Sequence, residues 1–403
     1  MKLSEELEWR GFISQHTFKN LSDIDNNSLK FYWGADPSSD SLTIGNLAPA
    51  MMVRHFIEHG HKAVLLVGGA TGLIGDPKEQ ERSQKTVDEI SSNKEAIRKQ
   101  YDNIFRGAQY EIVDNYDWFK NINYLDFLRD IGKNVPLSSM LAREFVQTRL
   151  GIDGGGISYA EFSYSLIQGY DFLHLFKEKD VTLQLCGSDQ WGNVIAGIDL
   201  IRRKESSEAN ALAMPLIINK STGIKFGKSE SGAVWLDPNK TSAFSFYQFW
   251  LNVDDSSVVD YLKIYTMLSK DEIINLESSQ KTNPEKRDAQ KALAFEVTKL
   301  IHGEERAQSV KKVTSVLFEN EDFSTLTSQD LDILSKEIVC VSMPNELLDI
   351  LIEAKVCKSK NEAKRLIEGN AVAVSGNKVS ENTTINKNSL IKIGKNRFIL
   401  VRQ

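Results

Sequence analysis

Cysteine is scarce in this chain of 403 residues, which holds only Cys186, Cys340 and Cys357. Their number is odd and no two of them are spaced as C-x-x-C, so the sequence indicates neither a disulfide framework nor a structural zinc site. This pattern is typical of a protein from a reducing compartment, and a cytoplasmic location is expected.

Long apolar runs are missing as well. No stretch approaches the roughly 20 apolar residues that a helix needs to cross a bilayer, so no membrane attachment is expected. The first residues, MKLSEELEWRGF, lack the apolar core of a signal peptide. They are acidic, unlike an organelle transit peptide.

An overall positive charge is also absent, since 49 Lys and Arg stand against 55 Asp and Glu, for a net charge of −6. The charge is unevenly distributed, however. Residues 345–403 carry 11 Lys and Arg against 6 Asp and Glu, a net charge of +5, so residues 1–344 carry −11. A basic end on an acidic body is typical of a local RNA-binding domain rather than of a globally basic nucleic-acid binder.

The composition is that of a normal globular protein, with 41% hydrophobic and 26% charged residues. The chain is long enough for two or three domains. Four strands are predicted in the first half, at residues 29–33, 62–67, 110–113 and 183–186. Segments of helical periodicity separate them, including residues 47–59 and 158–180. Strands alternating with helices predict an α/β fold with a Rossmann-like, doubly wound parallel sheet.

The pattern changes after residue 235. Residues 241–315 are expected to be all-helical, with a long helix over 284–313, and the acidic residues 318–344 are interpreted as a linker. The remainder is predicted to be a small α+β domain, with helices at 346–354 and 359–368, a strand–turn–strand around Gly376, and strands at 390–393 and 397–402. Four exposed cations are expected to cluster on its second helix, where they suit phosphate binding: Lys358, Lys360, Lys364 and Arg365.

Two stretches of the first half suggest a ligand site. Residues 31–47, FYWGADPSSDSLTIGNL, lead from a strand through a glycine-containing turn into a helix. Free N–H groups and the positive helix end favour phosphate there, although many such turns bind nothing. On the helix at 158–180, Tyr164, Gln168 and Asp171 share one face and would suit an amino acid.

Two short motifs suggest other chemistry. His55-Phe-Ile-Glu58-His59 matches H-x-x-E-H, a zinc-protease pattern, although no third ligand motif is evident. The stretch at 223–229, GIKFGKS, ends like a phosphate-binding P-loop, but Thr222 stands where that motif needs glycine. A metallohydrolase built on His55 and His59 remains an alternative hypothesis.

Eight motifs in order make the chain resemble the bacterial type of tyrosyl-tRNA synthetase, a class I aminoacyl-tRNA synthetase family. They are YWGADPSSDSLTIGN (32–46), LVGGATGLIGDP (66–77), NYDW (115–118), FLRDIGK (127–133), EFSYSLIQGYDF (161–172), GSDQWGN (187–193), KFGKS (225–229) and WLDPNKTSAFSFYQFW (235–250). The resemblance extends over most of the chain.

That resemblance implies a division of the chain and a set of partners. It implies a catalytic domain at 1–235 with a dimer-forming insertion at about 115–160, a helical anticodon-binding domain at 236–317, the linker, and an S-four type RNA-binding domain at 345–403. The implied partners are tRNA(Tyr), L-tyrosine, ATP accompanied by Mg²⁺, and a second copy of the chain. No tightly bound metal or organic cofactor is implied.

Site residues follow from the same resemblance. The tyrosine-binding residues implied are Tyr32, Asp76, Asn115, Tyr164, Gln168, Asp171 and Gln190. The nucleotide-binding residues implied are Gly34, Asp36, Gly45, Gly187, Asp189 and Lys228. The catalytic group implied is Ser38, Thr43, Asn46, Lys225, Lys228 and Ser229. Arg82 receives no definite role, because the segment after Asp76 looks shorter than in the family.

The chain departs from the family pattern at its centre. The family carries His-x-Gly-His at positions 43–46, whereas this chain has Thr43 and Asn46, which donate hydrogen bonds but do not become cationic. Trp33 stands where the family commonly has a small residue beside the ribose. The sequence thus leaves two further hypotheses open: an active tyrosine–tRNA ligase, and a related RNA-binding protein without catalysis.

Overall fold

The structure, a computed structural model, describes residues 1–26, 28–75, 85–141, 144–151, 155–220, 223, 226–229, 232–343, 345–394 and 396–402. Its helices are α1 Leu3–Arg10, α2 Ile44–Glu58, α3 Gly69–Ile74, α4 Val87–Ile104, α5 Tyr116–Phe119, α6 Tyr124–Asp130, α7 Leu137–Leu141, α8 Glu144–Leu150, α9 Tyr159–Lys179, α10 Trp191–Glu205, α11 Ala243–Leu251, α12 Val258–Tyr265, α13 Lys270–Thr282, α14 Asp288–His302, α15 Glu304–Phe318, α16 Ser328–Glu337, α17 Leu347–Glu353 and α18 Lys360–Glu368.

The strands are β1 Gln15–His16, β2 Lys30–Ala35, β3 Lys62–Val67, β4 Tyr110–Asp114, β5 Leu183–Gly187, β6 Asn210–Met214, β7 Lys228–Ser229, β8 Gly232–Ala233, β9 Val339–Ser342, β10 Asn345–Glu346, β11 Val372–Val374, β12 Asn377–Lys378, β13 Thr384–Ile385, β14 Ser389–Ile393 and β15 Arg397–Arg402. The chain forms two compact units, one of residues 1–241 and 252–293, the other of residues 242–251 and 294–403.

The first unit is built on a six-stranded sheet with the strand order β1-β6-β5-β2-β3-β4. Its last five strands are parallel, and only the short edge strand β1 is antiparallel to β6. The chain runs outward from β2 to β3 and β4 on one side, and from β5 to β6 on the other. This order confirms the predicted Rossmann-like, doubly wound sheet, and it reverses between β2 and β5, where such folds bind ligands.

Burial explains why these segments form the sheet. Every residue of β3 after Lys62 is buried, as expected of a parallel strand covered on both faces. The α2 helix begins at Ile44, one turn earlier than the spacing of apolar residues predicts. Its start is set by polar contacts instead, because the Asn46 side chain accepts hydrogen bonds from Thr43.

The second unit contains a five-stranded sheet with the order β12-β11-β14-β15-β9. Side chains alternate between its two faces. Ile391, Ile399 and Val401 pack with α17 and α18, whereas Leu390 and Leu400 pack with α15 and α16. The helices and strands predicted for this small domain are confirmed to within a few residues.

Two predictions for the region before this domain are wrong. Residues 318–344, interpreted as an irregular linker, contain α16 and β9, and β9 pairs in parallel with β15. These residues are structured because the apolar side chains of α16 pack against one face of the C-terminal sheet. The long helix predicted at 284–313 is two helices, α14 and α15, separated at Gly303, whose φ of 87° only glycine adopts readily.

Within the described part of the chain, no helix is long and apolar enough to cross a membrane.

Candidate active site

A cleft of about 570 Å³ opens at the carboxyl ends of β2 and β5, where the strand order reverses. Its walls come from β2, the N-terminal turn of α2, the cleft-facing side of α9, and the turn after β5. Side chains from distant stretches of sequence therefore meet at the edge of the sheet where a doubly wound fold leaves an opening.

A chain of hydrogen bonds holds the floor of this cleft. Asn115 Nδ2 lies 3.1 Å from Thr71 Oγ1 and 3.1 Å from Asp171 Oδ2. Trp118 Nε1 donates to Asp171 Oδ1 at 2.9 Å. At the other end, Thr71 donates its hydroxyl proton to Asp36 Oδ1 at 2.6 Å. The network fixes Asp36 and Asp171, which stand on different elements, in one rigid frame.

Asn115 anchors that frame to the backbone. Its Oδ1 accepts a hydrogen bond from the N–H of Ala70 at 2.7 Å, in the first turn of α3. Because its oxygen faces a backbone donor, its amide nitrogen must face Thr71 and Asp171. Asn115 is fully buried and stands behind the cleft, so it orients the residues that line it.

Burial changes the proton affinity of two groups in this frame. Asp171 is buried, and loss of water raises its pKa well above the usual range although Asn115 and Trp118 donate to it. Burial likewise raises the pKa of the Tyr32 hydroxyl, with a further contribution from Asp171. Perturbed groups of this kind concentrate at functional sites.

Three buried polar atoms in the cleft have no hydrogen-bonding partner among the described residues: Tyr32 Oη, Gln168 Oε1 and Gln184 Oε1. A buried polar group left without a partner costs roughly 1–3 kcal/mol. Three such groups around one opening indicate a polar ligand that would satisfy them on binding.

Tyr164 contributes a hydrogen-bond acceptor to the cleft. Its hydroxyl donates to Asp36 Oδ2 at 2.6 Å. With its only proton donated, the oxygen of Tyr164 acts as an acceptor toward any further group. The oxygens of Tyr164 and Gln168 therefore suit a ligand that donates hydrogen bonds, such as an ammonium group.

The N-terminal turn of α2 forms the opposite rim. Thr43 and Asn46 line the cleft there, and so does Gly45. A Cβ atom on Gly227 would lie 3.3 Å from Ile44 and 3.4 Å from the nitrogen of Gly45. The backbone at Gly227 thus approaches the start of α2 closely, and its φ of 117°, which glycine adopts readily, permits this approach.

The remaining predicted site residues are distributed as follows. Several line the cleft: Gly34, Ser38, Gly187, Asp189 and Gln190. Asp76, Arg82 and Lys225 lie outside the described residues. For Lys228 and Ser229 only the backbone is described, in the hairpin of β7 and β8. A P-loop would continue into a helix at this point, so the hairpin excludes that interpretation.

Sequence reasoning missed three residues of the site. Thr71 and Trp118 belong to the hydrogen-bond network, and Gln184 is a buried polar residue on β5. The signal for Gln184 was a single amide within the apolar strand Leu183-Gln-Leu-Cys. Thr71 and Trp118 carry no sequence signal of their own, because their role depends on contacts with distant residues.

Trp33 occupies the wall of the cleft beside Gly34. It is 4% exposed, and its ring packs against that of Tyr101 with centroids 5.6 Å apart. The indole is therefore held by a second buried aromatic ring and presents a fixed apolar surface at this position.

The zinc hypothesis for His55 and His59 finds no support in the geometry. Both rings face Glu6, at 3.4 Å and 3.5 Å, and His59 Nδ1 contacts the carbonyl of His55. No group of three or more His, Cys, Asp or Glu side chains in the described ranges has an arrangement that could hold a metal ion. Burial lowers the pKa of His55 well below its usual value, as for a neutral core histidine.

The basic cluster of the C-terminal domain lies on and just before α18, and all four of its cations are exposed. Lys360 pairs with Asp349 at 2.8 Å and Lys364 with Glu368 at 3.7 Å. Exposed pairs of this kind contribute little to stability, so both lysines can turn to another anion.

Comparison with known proteins identifies the family. Residues 25–319 match the class I tRNA synthetases (W and Y), and residues 331–403 match the C-terminal domain of tyrosine–tRNA ligases. The chain is 43% identical over 427 residues to a tyrosine–tRNA ligase 1 of Bacillus cereus, with all of both chains covered. A second B. cereus protein, tyrosine–tRNA ligase 2, is 42% identical over 424 residues, again with all of both chains covered.

Among solved structures, the truncated mitochondrial tyrosyl-tRNA synthetase of Aspergillus nidulans is similar, with a TM-score of 0.71 and 29% identity, over 79% of this chain and 94% of the other. The corresponding enzyme of Coccidioides posadasii gives a TM-score of 0.68 and 30% identity, over 77% and 91% of the two chains. The protein belongs to the class I aminoacyl-tRNA synthetases, in the branch that also carries the C-terminal domain of the tyrosine–tRNA ligases.

Proposed function

We propose that the protein is a tyrosine–tRNA ligase. It would activate L-tyrosine with ATP to tyrosyl-adenylate and pyrophosphate, and then transfer tyrosine to the 3′ end of tRNA(Tyr). The observation that carries this proposal is the floor of the cleft, where Asp171 is buried and held by Asn115 and Trp118 beside the Tyr32 hydroxyl.

The phenol of tyrosine matches this floor. Tyr32 offers a hydroxyl that has no hydrogen-bonding partner in the described part of the chain, and Asp171 offers carboxylate oxygens at the same end of the cleft. A phenol that donates to Asp171 and accepts from Tyr32 would satisfy both. Phenylalanine would leave them unpaired, and a site built in this way rejects a substrate that lacks the hydroxyl.

The ammonium group would bind at Tyr164 and Gln168, whose oxygens are acceptors in this geometry. Asp76, from the resemblance, would add a negative charge. Gln190 lines the cleft nearer the turn after β5, and its own Oε1 accepts from Asn193 at 3.0 Å. The two amide protons on Gln190 Nε2 are thereby oriented away from Asn193, as needed for a substrate carboxylate.

Activation itself needs positioning rather than a base. The tyrosine carboxylate is already charged, so one of its oxygens attacks the α-phosphorus while the bond to the β-phosphate oxygen breaks. The charge that develops on pyrophosphate would be stabilised by Lys225, Lys228 and the donors at the start of α2. Mg²⁺ would arrive on the phosphates as part of the substrate, while Asp189 would hold the ribose.

The proposed assembly is a homodimer, formed through the insertion at about 115–160. Several large apolar side chains in this segment are exposed: Tyr124, Leu125, Leu137, Leu150 and Tyr159. A surface of this kind is typical of an interface between subunits. The basic cluster on α18 would bind phosphates of tRNA(Tyr), the helical segment at 236–317 its anticodon arm, and the reaction would take place in the cytoplasm.

The proposal is tested by charging of a tRNA(Tyr) transcript with radiolabelled amino acids. Tyrosine should be attached to the 3′ end in an ATP-dependent manner, whereas phenylalanine and tryptophan should not. Tryptophan is the essential control, because the family match includes enzymes for both amino acids. Charging with tryptophan, or binding of the transcript without any charging, would contradict the proposal, and the second outcome would favour an RNA-binding protein without catalysis.

A further inference from the structure

Thr43 and Asn46 are joined by two hydrogen bonds at the rim of the cleft. Asn46 Oδ1 lies 3.0 Å from Thr43 N and 3.0 Å from Thr43 Oγ1. A backbone N–H can only donate, so the side-chain atom facing it must be the amide oxygen. The orientation of the Asn46 amide is thus determined by its chemistry.

The same geometry determines what Thr43 can do. Because its hydroxyl faces an acceptor, it gives its single proton to Asn46. Toward any other neighbour, Thr43 Oγ1 then presents lone pairs. Lone pairs repel phosphate oxygens, so Thr43 in this arrangement is not a donor to a phosphate.

Asn46 retains the donors that Thr43 has lost. Among the described residues no acceptor is hydrogen-bonded to Asn46 Nδ2, and this nitrogen points away from Thr43 because Oδ1 points toward it. Asn46 is half-buried and lines the cleft in the first turn of α2. The positive end of the helix dipole lies there and favours an anion.

We infer that Thr43 is a positioning residue that fixes the Asn46 amide, and that Asn46 Nδ2 is the donor to the pyrophosphate as it leaves. The inference rests on the proposed activation of tyrosine. The bond from the tyrosine carboxylate to the α-phosphorus forms as the bond to the β-phosphate oxygen breaks. No proton is transferred, so a pair of amide protons can serve this step without a group that titrates.

A double-mutant cycle separates positioning from direct contact. Thr43→Val keeps the shape and the backbone N–H but removes the hydroxyl, and Asn46→Ala removes the donor. Alone, Thr43→Val should lower the rate of tyrosine-dependent ATP–pyrophosphate exchange by up to about tenfold, the effect of one hydrogen bond, with KM for tyrosine unchanged. In the Asn46→Ala background it should have no further effect, because the group it orients is already absent.

Two single variants provide controls. Thr43→Ser retains the hydroxyl and should restore most of the rate lost in Thr43→Val. Asn46→Asp keeps both contacts with Thr43 but removes both amide protons, and its charge suits a helix start, so its thermal midpoint should not fall. Its exchange rate should nevertheless fall at least as far as that of Asn46→Ala.

Equal losses from Thr43→Val in both backgrounds would overturn the inference, as would a normal rate for Asn46→Asp. Should exchange by Asn46→Ala be too slow to follow, single-turnover formation of radiolabelled adenylate gives the same cycle. These outcomes differ from a failure of the proposed function, since in them the wild-type protein still exchanges pyrophosphate. No exchange by the wild-type protein would overturn both.

Discussion

Asn115 Nδ2 donates a 3.1 Å hydrogen bond to Asp171 Oδ2, and both residues are almost fully buried. This contact joins the end of β4 to the middle of α9. It also holds the acidic end of the cleft in place before any ligand binds. A buried carboxylate that already receives two N–H donors is a rigid acceptor for one more, which is what recognition of a phenol requires.

Asp171→Ala should therefore abolish the discrimination between tyrosine and phenylalanine, without abolishing the binding of amino acids in general. The variant should lose about 1.5–3 kcal/mol of transition-state stabilisation for tyrosine, the range for a hydrogen bond to a charged group. Phenylalanine should be nearly unaffected. The measurement is kcat/KM in pyrophosphate exchange with each amino acid, and an equal loss for both would show that Asp171 does not meet the phenol.

Tyr32→Phe should lower the affinity for tyrosine without lowering the stability of the fold. Removing this buried hydroxyl, which has no hydrogen-bonding partner within the described ranges, should leave the free energy of unfolding unchanged or raise it by up to ~1 kcal/mol. Affinity for tyrosine should fall, because the phenol loses its donor. Calorimetry gives both quantities on the same samples.

Tyr101→Phe is the matched control, since the Tyr101 hydroxyl is also buried without a partner among the described residues but does not line the cleft. It should resemble Tyr32→Phe in stability and wild type in tyrosine affinity. If both variants bound tyrosine like wild type, Tyr32 would have no part in recognition.

The buried His55 predicts a loss of stability in mild acid. The pKa of His55 is lowered by burial, by Arg10 and by neighbouring cations. In mild acid the unfolded chain therefore binds a proton at this residue that the folded protein does not bind. Its contribution to stability is complete above the ordinary value near 6.5 and is lost as the pH falls toward the folded pKa, by up to ~1.4 kcal/mol per pH unit.

Denaturant unfolding between pH 7 and pH 5 measures this effect. His55→Gln, which cannot titrate, should show a shallower loss over that range, whatever its stability at pH 7. His61 and His174 also have pKa values lowered by burial and should leave a residual slope. Parallel curves for the variant and wild type would exclude His55 as the cause.

The basic cluster is best tested by substitution. Deleting residues 345–403 would strip β14 and β15 from α15 and α16, exposing residues such as Leu334. Lys364→Gln with Arg365→Gln should instead weaken binding of tRNA(Tyr) and reduce its salt dependence, because fewer counterions are released. Adenylate formation should be unchanged.

Lys378→Gln with Lys387→Gln removes the same charge from exposed positions outside α18 and serves as the control. A loss of tRNA affinity equal in both double variants would indicate that net charge, rather than the cluster on α18, determines binding.

The sequence predicted the sheet well because parallel strands buried on both faces carry continuous apolar runs, as in β3. It also predicted the polar face of α9, because Tyr164, Gln168 and Asp171 repeat at helical spacing. It did not predict α16 and β9, since the apolar residues of 318–344 have no partner until the C-terminal sheet is assembled. Thr71 and Trp118 were missed for a similar reason, as hydrogen bonds between distant residues leave no local pattern.

The assignment of roles at positions 43 and 46 likewise required the structure. Thr and Asn are both possible donors in a sequence, and only the contact between them shows that one donates to the other. The roles proposed for Lys225, Lys228 and Asp76 come from the family resemblance alone.

The central claim is that this chain activates tyrosine without the two histidines of its family. Tyrosine-dependent ATP–pyrophosphate exchange, measured side by side on the wild-type protein and on the Thr43→His/Asn46→His variant, tests it most directly. Exchange by the wild-type protein, with the variant equal or faster, is the predicted result. Exchange by the variant alone would contradict the account, because the natural chain would then be a relative that has lost catalysis.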